Sequence, residues 1–253
     1  MVLVETRLAD GVLTVTLADE DNRNALSSRL TAELVEALDD ADGNPAVRVV
    51  VLTNRGRVFC AGADLSERSS TSRASDKLVD PVRLFGRFRE SPKPYVGRIA
   101  GHCVAGGMGL AAAMDISIAS EDAKFGFTEV RIGVAPAMIS VVCLPKMRPA
   151  EAREAFLRGN RFPATEAARM GLINAAVPAD ELDEAVDAVI ADLKAGGPEA
   201  LAAAKQLTTR VPEMSVDEAF EWTAELSANL FRGDEAAEGM RAYLDKRPPS
   251  WTG

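Results

Sequence analysis

The chain opens with apolar residues at every second position, which is the repeat of a β-strand. Two such runs, residues 2–8 and 13–17, flank Asp10-Gly11, a dipeptide typical of tight hairpin turns. A helical repeat follows Ser27, a residue type that caps helix N-termini, and it ends at Gly43-Asn44-Pro45. The apolar positions that recur along this predicted helix are Leu30, Leu34, Leu38 and Ala41.

Three short and nearly continuous apolar runs predict strands that are buried on both faces. They are residues 47–53, 93–101 and 116–120. Between the last two, residues 104–115 begin as a turn and continue as a short helix rich in small residues. This alternation of strands and helices predicts a parallel sheet with right-handed crossovers.

A polar, serine-rich stretch separates the first two of these strands. Residues 66–77 carry few signals of regular structure, so we predict a mobile loop there. A helix is predicted next, ending before Pro92, and its apolar positions are Leu78, Val82, Phe85 and Phe88.

The pattern changes near residue 146, after which the chain is predicted to be almost wholly helical. Two later segments are amphipathic, with the repeats Leu182, Val186, Val189 and Leu193 in one and Phe220, Ala224, Ser227 and Phe231 in the other. We therefore predict an α/β core over residues 1–195 and a C-terminal helical region over residues 196–253. Helices with apolar faces and little core of their own must pack on something, and a neighbouring subunit is a good candidate.

Composition and charge narrow the classes of function. The 253 residues carry a net charge of −9, so the protein as a whole repels polyanions, and a nucleic-acid role is disfavoured. The three cysteines, Cys60, Cys103 and Cys143, form no CxxC pair, which predicts free thiols rather than a zinc site or disulfides. The first residues lack the pattern of a signal peptide, and no apolar run approaches the ~20 residues that span a bilayer, so we expect a cytoplasmic protein.

Two turns that directly follow predicted strands are candidates for ligand contact. FCAGADL, residues 59–65, and HCVAGGMGL, residues 102–110, place small residues where the backbone can approach a ligand closely. The second turn opens a helix, whose first N–H groups are free and lie at its positive dipole end. Two such N–H groups directed at one point would form an oxyanion hole, although each turn by itself is more often a plain turn. Neither matches the GxGxxG or GxxxxGK[ST] patterns of phosphate binding.

Taken in order, the motifs of the chain make it resemble the crotonase (enoyl-CoA hydratase/isomerase) family over most of its length. NRNAL at 22–26 resembles the family's opening loop, FCAGADL its first oxyanion turn, and AGGMGL at 105–110 its second. FGFTEVRIGVAP at 125–136 resembles the segment with the catalytic glutamate, and RFPATEAARMGLIN at 161–174 the helix and strand that follow. The resemblance implies the crotonase α/β fold, a ββα spiral core with a C-terminal helical region that forms a trimer or a dimer of trimers. It also implies an acyl-CoA thioester substrate and no metal or redox cofactor, with coenzyme A entering as part of the substrate.

The resemblance assigns roles residue by residue. Ala63 and Gly106 fall on the N–H donors of the oxyanion hole, and Glu129 falls on one of the two family glutamates. The second family glutamate falls on Gly109, so that carboxylate is absent. Arg23 lies where family members often contact the CoA phosphates, with a solvated loop arginine as the alternative. The other residues that we assign to substrate contact are Ala61, Asp64, Leu65, Met108, Gly109, Phe127 and Met138.

Several of these assignments have a purely structural alternative. Four side chains could line an acyl pocket, although a Met or Phe at such spacing is more often part of a core: Phe85, Met108, Phe127 and Met138. Asp64 could instead cap the helical segment after its turn. His102, the only histidine, is interpreted as structural, and Lys246 and Arg247 as surface residues rather than contacts to the CoA of an adjacent subunit.

A single glutamate beside an oxyanion hole favours one reaction. When two N–H groups stabilise a thioester enolate, one carboxylate can remove a proton at one carbon and return it at another, which moves a double bond. Hydration needs both an activated water and a delivered proton, so without a carboxylate at Gly109 we expect hydration to be slowed by about 10²–10⁴. The alternatives are thioester hydrolysis, decarboxylation and a non-catalytic acyl-CoA-binding protein. The absence of an additional carboxylate near Ala137 and Met138 counts against dehalogenation.

Overall fold

The computed structural model describes residues 2–69 and 81–252. The strands are β1 (Val4–Ala9), β2 (Val12–Leu17), β3 (Val49–Asn54), β4 (Val58–Cys60), β5 (Tyr95–Ile99), β6 (His102–Val104), β7 (Ile116–Ser120), β8 (Lys124–Gly126), β9 (Phe162–Pro163) and β10 (Ala175–Val177). The α-helices are α1 (Ser28–Gly43), α2 (Leu65–Ser69), α3 (Pro81–Glu90), α4 (Gly106–Ala113), α5 (Ala137–Cys143), α6 (Pro149–Arg158), α7 (Ala164–Arg169), α8 (Leu182–Ala195), α9 (Pro198–Arg210), α10 (Val216–Arg232) and α11 (Asp234–Asp245). Short 3₁₀ helices cover Thr128–Ile132, Val211–Glu213 and Ser250–Thr252.

The predicted hairpin and first helix are both present. β1 pairs antiparallel with β2, and Asp10 and Gly11 in the turn between them have φ angles of 50° and 74°. Ser27 caps α1, because its side-chain oxygen accepts the N–H of Leu30 at 3.2 Å, and the C-cap of the helix is Asn44. The predicted apolar face of α1 is buried, which confirms the helical reading of Leu30, Leu34, Leu38 and Ala41.

A six-stranded sheet in the order β1-β2-β3-β5-β7-β10 forms the centre of the molecule. Every pair after β1 and β2 is parallel, as the alternation of strands and helices predicts. The position of β3 in this sheet explains why its sequence is mostly apolar. Val50 and Leu52 join the core that contains α1, whereas Val49 and Val51 pack with α8 in a second cluster. Both faces of the strand are therefore covered, and a strand in that position has no polar side.

A second sheet, in the order β4-β6-β8-β9, positions the functional segments. β4, β6 and β8 are mutually parallel, and β9 is antiparallel to β8. The carboxyl ends of parallel strands meet at one edge of a sheet, which is where such sheets bind ligands. Here those ends are followed by residues 61–63, 105–106 and 127–129, each inside one of the motifs identified in the sequence. The small sheet thus brings three distant segments to one place.

The structure differs from the prediction directly after the first turn. Residues 65–69 form α2 rather than the beginning of a mobile loop. The physical reason is a cap: Asp64 accepts hydrogen bonds from the backbone N–H and the hydroxyl of Ser66, at 2.8 and 2.6 Å. Residues 70–80, which include the rest of that predicted loop and Leu78, lie outside the described residues. The helix predicted to follow is α3, in which Phe85 and Phe88 are buried.

The prediction of an almost wholly helical chain after residue 146 is wrong at β9 and β10. β10 extends the main sheet, with Ala175, Ala176 and Val177 pairing in parallel with β7. Two alanines and one valine show no alternation and include only one β-branched residue, so they do not mark a strand in sequence. The pairing with β7, a tertiary interaction, is what makes this segment a strand.

The C-terminal helices end by returning to the core. The guanidinium of Arg48 donates to the carbonyl oxygens of Trp251 and Gly196, at 2.7 and 2.8 Å, and the indole N–H of Trp251 donates to the carbonyl of Ala195 at 3.0 Å. On α10, Phe220 and Phe231 are 72% and 67% exposed, so its apolar face is uncovered within one chain. No helix in the described part of the chain combines the length and apolar character needed to cross a bilayer. The division of the chain at residue 195 stays a prediction.

Candidate active site

The first turn leaves β4 through a glycine whose conformation other residues rarely adopt. Gly62 has a φ of +89°, and its carbonyl accepts the N–H of Leu26 at 2.7 Å. A Cβ at this position would lie 2.6 Å from the Cβ of Ala105 and 2.9 Å from the N atom of Gly106. A side chain at Gly62 would therefore collide with the second turn. The glycine allows Ala63 to lie beside that turn.

The second turn leaves β6 and opens α4. Ala105, the residue before the helix, has φ 50° and ψ −122°, a region that non-glycine residues seldom occupy. Its N–H donates to the carbonyl of Gly126 at 3.0 Å, which ties the turn to β8. A Cβ at Gly106 would lie 3.2 Å from the Cα of Gly62 and 3.6 Å from the N atom of Ala63. The two turns consequently contact each other backbone to backbone.

The backbone N–H groups of Ala63 and Gly106 are available to a ligand. Within the described residues, neither N–H has a hydrogen-bond acceptor. For Gly106 the reason is its place as the first residue of α4, because no carbonyl lies one helical turn before it. Both residues line the same cavity, which has a volume of about 840 Å³. Two N–H groups without acceptors therefore lie on touching turns in the wall of one cavity.

Glu129 lies in the same cavity, on the 3₁₀ helix that follows β8. Its backbone carbonyl accepts the N–H of Val134 at 3.2 Å, and the side-chain Nε of Arg131 donates to the carbonyl of Gly159 at 2.6 Å. The first bond closes the end of the 3₁₀ helix, and the second ties the helix to the C-cap of α6. The side chain is half-buried, and its Oε2 atom has no hydrogen-bond partner among the described residues. Burial raises the pKa of the Glu129 carboxyl above its usual range, which makes the ionised form a stronger base.

The remaining wall of the cavity is mostly apolar. α3 and α5 contribute Leu84, Phe85, Ala137, Met138 and Ile139, none of which carries a polar side-chain group other than the thioether of Met138. Polar side chains come from other elements and are Ser28, Thr31, Thr128, Arg131, Asn160 and Arg161. A cavity of this size with a few polar groups is typical of a small-molecule site.

The structure brings together a majority of the residues assigned from the sequence. Those that line the cavity are Ala61, Ala63, Leu65, Gly106, Glu129, Met138 and Phe85. Those that lie elsewhere are Arg23, Asp64, Met108, Gly109 and Phe127, as far as the described residues show.

Met108 and Phe127 belong to the core rather than to the cavity wall. The Met108 side chain is fully buried, and its sulfur accepts the N–H of Gly126 at 3.3 Å. The Phe127 ring is also fully buried and stacks on Phe156, with ring centroids 4.1 Å apart. α4 is apolar on every side, so its spacing in sequence could not indicate which of its residues faces a ligand.

Gly109 is buried beneath two side chains of the cavity wall. A Cβ at this position would lie 2.4 Å from Cγ2 of Ile139 and 2.8 Å from Cε1 of Phe85. The glycine is thus covered and does not reach the cavity, contrary to its assignment as a substrate contact. The volume next to it is already filled.

Arg23 and Asp64 support the first turn instead of lining the cavity. The carbonyl of Arg23, whose φ is 55°, accepts the N–H of Ala61 at 3.2 Å. Asp64 accepts from the side-chain amide of Asn22 at 2.9 Å as well as from Ser66, and these hydrogen bonds lower the pKa of its carboxyl. The capping alternative for Asp64 therefore describes its contacts.

The other titratable residues singled out in the sequence lie apart from the cavity. Nδ1 of His102 accepts the N–H of Lys124 at 3.2 Å, and burial, followed by the charge of Arg161, lowers the pKa of the imidazole. Arg247 forms two hydrogen bonds with Glu238, at 2.7 and 2.9 Å, and so has a surface partner. All three cysteines are free and buried, as predicted. The described residues contain no cluster that could hold a metal ion.

Sequence reasoning did not select several residues that line the cavity, among them Leu26, Thr31, Ile132, Ile139, Asn160 and Arg161. A signal was present for the last two. The motifs at 125–136 and 161–174 were both recognised, and antiparallel pairing of β8 with β9 places the residues before Phe162 opposite the end of β8. No feature of the sequence indicated Ile139, because its place in the cavity wall depends on its packing over Gly109.

Comparison with known proteins agrees with this architecture. Residues 7–253 match the family model described as enoyl-CoA hydratase/isomerase. A Thermus thermophilus protein that is named as an enoyl-CoA hydratase is 37% identical to this chain over 243 residues. The match covers 94% of this chain and 96% of that protein. The crystal structure of an enoyl-CoA hydratase from Mycobacterium smegmatis superposes with a TM-score of 0.92 at 30% identity, over 99% of both chains. An enoyl-CoA hydratase/isomerase from Marinobacter aquaeolei gives a TM-score of 0.90 at 29% identity, over 99% of both chains. The chain therefore belongs to the enoyl-CoA hydratase/isomerase family and has the crotonase fold that its motifs predicted.

Proposed function

We propose that this protein acts on acyl-CoA thioesters and moves the double bond of a 3-enoyl-CoA to the 2-position, with Glu129 as the single acid/base. The observation that carries the proposal is the content of one cavity. It holds two N–H groups without acceptors, at Ala63 and Gly106, together with the half-buried carboxylate of Glu129, whose Oε2 atom has no hydrogen-bond partner among the described residues. Position 109, where the family places a second carboxylate, is a glycine covered by Ile139 and Phe85.

The proposed role of the two N–H groups is to bind the thioester oxygen. Removal of a proton at C2 places negative charge on that oxygen, and donors fixed in advance stabilise it without reorganisation. Each such donor is typically worth roughly 3 kcal/mol of transition-state stabilisation. Because the donors are backbone groups held by Gly62 and Ala105, their position does not depend on a side-chain rotamer.

The proposed role of Glu129 is to carry one proton between two carbons. Its ionised carboxylate removes a proton from C2, and the electron pair forms a dienolate that is held by the oxyanion hole. The protonated carboxyl then returns the proton to C4, which leaves the double bond between C2 and C3. The raised pKa suits both steps, because it strengthens the base and keeps the acid form accessible.

This reaction requires no group from outside the chain other than the coenzyme A of the substrate. A double-bond shift involves no net oxidation or reduction, and the two N–H groups take the role that a Lewis acid would have. We therefore propose that the enzyme needs neither a metal nor a redox cofactor.

We also propose that the chain assembles as a homotrimer or a dimer of trimers through its C-terminal helices. The support is a set of exposed apolar side chains on α10 and α11, namely Val216, Phe220, Phe231, Met240, Tyr243 and Leu244. Light scattering coupled to size-exclusion chromatography measures the assembly directly, and a monomeric mass would contradict it. A cytoplasmic location stays a prediction, and the three free cysteines suit a reducing compartment.

A paired assay on the purified protein tests the reaction. One arm measures hydration of a 2-enoyl-CoA, and the other measures conversion of a 3-enoyl-CoA to its 2-enoyl isomer. We expect isomerisation to exceed hydration by at least about tenfold, since general acid–base groups are worth about 10²–10⁴. Fast hydration would contradict the proposal.

The Glu129→Gln variant assigns the acid/base. We expect it to lose isomerisation by about 10²–10⁴ while it still binds a non-reactive CoA thioester in calorimetry. The matched control is Glu121→Gln, which removes an exposed carboxylate of the turn between β7 and β8 and should leave turnover unchanged. Binding without turnover in the unmodified protein would favour the non-catalytic alternative.

A further inference from the structure

Two side chains stand between Gly109 and the catalytic cavity. Ile139 on α5 and Phe85 on α3 both line the cavity, yet they are only 4% and 7% exposed. On their far side, Cγ2 of Ile139 and Cε1 of Phe85 lie 2.4 and 2.8 Å from the point where a Cβ on Gly109 would be. They are thus packed on the bare backbone of α4, and the absence of a side chain at Gly109 is what gives them room.

We infer that Ile139 and Phe85 are specificity-determining residues that suppress hydration by filling the space over Gly109 in which a second polar group or an ordered water would lie. This inference rests on the proposed isomerisation. It goes further by assigning the choice between isomerisation and hydration to two apolar side chains, with Gly109 as the position that accommodates them.

The chemistry of hydration explains why an apolar wall matters. Addition of water across C2–C3 needs a water molecule held next to C3 and a proton delivered to C2. A water in a protein interior is held by about two to four polar partners. The wall contributed by α3 and α5 consists of Leu84, Phe85, Ala137, Met138 and Ile139 and offers no hydrogen-bonding hydroxyl, amide or charged group among the described residues. A water against that wall would therefore find no hydrogen-bonding side chain of α3 or α5 to hold it.

The packing around Gly109 also prevents a carboxylate from being introduced there by a single substitution. A Gly109→Glu substitution begins with a Cβ that overlaps Ile139 and Phe85, and the longer side chain must then displace both. Shortening Ile139 removes the nearer of the two obstacles. The positions are therefore coupled, and a carboxylate at 109 becomes useful only when 139 is small.

The first test compares the ratio of hydration to isomerisation in four variants with that of the unmodified enzyme. We expect Gly109→Glu alone to lower both activities, and Ile139→Ala and Phe85→Leu to raise the ratio by about threefold or more. The Gly109→Glu/Ile139→Ala pair should raise the ratio by at least about tenfold, since a general acid–base group contributes about 10²–10⁴. The matched control is Met138→Ala, which enlarges the same cavity at a residue that is not among the nearest neighbours of position 109, and its ratio should rise by less than half as much as that of Ile139→Ala.

A ratio that stays within twofold of the unmodified enzyme in Ile139→Ala, Phe85→Leu and the paired variant would overturn the inference. An increase in Met138→Ala equal to that in Ile139→Ala would do the same, because any enlargement would then suffice.

A second readout does not depend on activity and separates this inference from the proposed reaction. Gly109→Ala should lower the melting temperature by roughly 3–10 °C through overpacking, and by less than half of that in the Ile139→Ala background. Additive shifts would overturn the steric coupling even if the enzyme isomerises. An unmodified enzyme without isomerase activity would instead refute the proposed function and leave this coupling measurable.

Discussion

The six-stranded and the four-stranded sheets are both mainly parallel, but the first buries side chains and the second brings backbone segments into contact. In the main sheet, all of Val49–Asn54 is buried, because side chains of α1 and α8 cover the two faces. In the small sheet the strands are two or three residues long, and the segments after them meet backbone to backbone at Gly62 and Gly106. Side-chain packing stabilises the first sheet, whereas the proposed function of the second depends on main-chain geometry.

This difference predicts that the two sheets respond to substitution in different ways. A truncation in the main sheet should lower the free energy of unfolding and leave catalysis by the folded protein intact. An added methyl group in the turns of the small sheet should lower catalysis more than its effect on stability explains.

The largest effect is expected for Gly62→Ala. Its φ of +89° and the 2.9 Å approach of the new Cβ to the N atom of Gly106 require the two turns to move apart, which removes one proposed donor from the oxyanion hole. We expect kcat/KM to fall by about 10³. Gly43→Ala is the control, because a Cβ there has nothing within 4 Å. Equal activity of the two variants would mean that the first turn does not position a donor.

A main-sheet truncation, Leu52→Ala, should act on stability alone. Leu52 is fully buried in the core on the α1 side of β3. We expect the free energy of unfolding to fall by about 3 kcal/mol, from the lost transfer energy and the cavity left behind. Urea unfolding measures this loss, and kcat/KM of the folded protein should stay within twofold. A large drop in kcat/KM would show that the main sheet also sets the geometry of the site.

The same contrast explains which features could be predicted from the sequence. The main sheet could be predicted because burial on two faces requires apolar residues at 47–53 and 116–120. Each of these runs is visible within a short stretch of sequence. The apolar pattern did not predict β10, because Ala175–Val177 owes its conformation to pairing with β7, and only the family resemblance at 161–174 implied a strand near it. At the site, the glycines and Glu129 were recognised through a family resemblance, since backbone donors leave no pattern of side chains to read.

Tertiary packing decides which side chains line the cavity, and the sequence pattern does not reveal it. Met108 lies inside the motif at 105–110, and Met138 lies just after the motif at 125–136. The first is buried against Gly126, whereas the second is 45% exposed at the cavity. Only the packing of α4 against α5 distinguishes them. Ile139 and Gly109 are 30 residues apart in sequence, and their coupling exists only in the folded chain.

A smaller effect of opposite sign is expected for Ala105→Gly. Ala105 holds φ 50° and ψ −122° at the start of α4, a conformation that costs a non-glycine residue of the order of 1 kcal/mol. We therefore expect the free energy of unfolding to rise by about 1 kcal/mol, with kcat/KM unchanged, because the N–H of Gly106 stays in place. Ala113→Gly at the other end of the same helix is the control and should lower stability by about 0.5–1 kcal/mol. A loss of stability in Ala105→Gly would show that the Ala105 methyl group contributes more by packing than it costs in strain.

The smallest expected effect is a pH dependence that belongs to Glu129 alone. Burial raises the pKa of this carboxyl in the folded protein above the ~4.3 of an unfolded glutamate, so between the two values the folded chain binds more protons than the unfolded chain. Stability contributed by this site is therefore present below the unfolded pKa and is lost as the pH rises through the folded pKa. Glu129→Gln lacks this titration, so its melting temperature should gain on that of the unmodified protein as the pH is raised from 4 through the folded pKa, and the gain should then level off. The same group should give kcat/KM a limb that rises with pH over that window, since the ionised form is the base. A melting-temperature difference that is flat between about pH 4 and 8 would mean that the Glu129 carboxyl is solvated. The edge of the small sheet would then carry free backbone N–H groups but no base with a raised pKa.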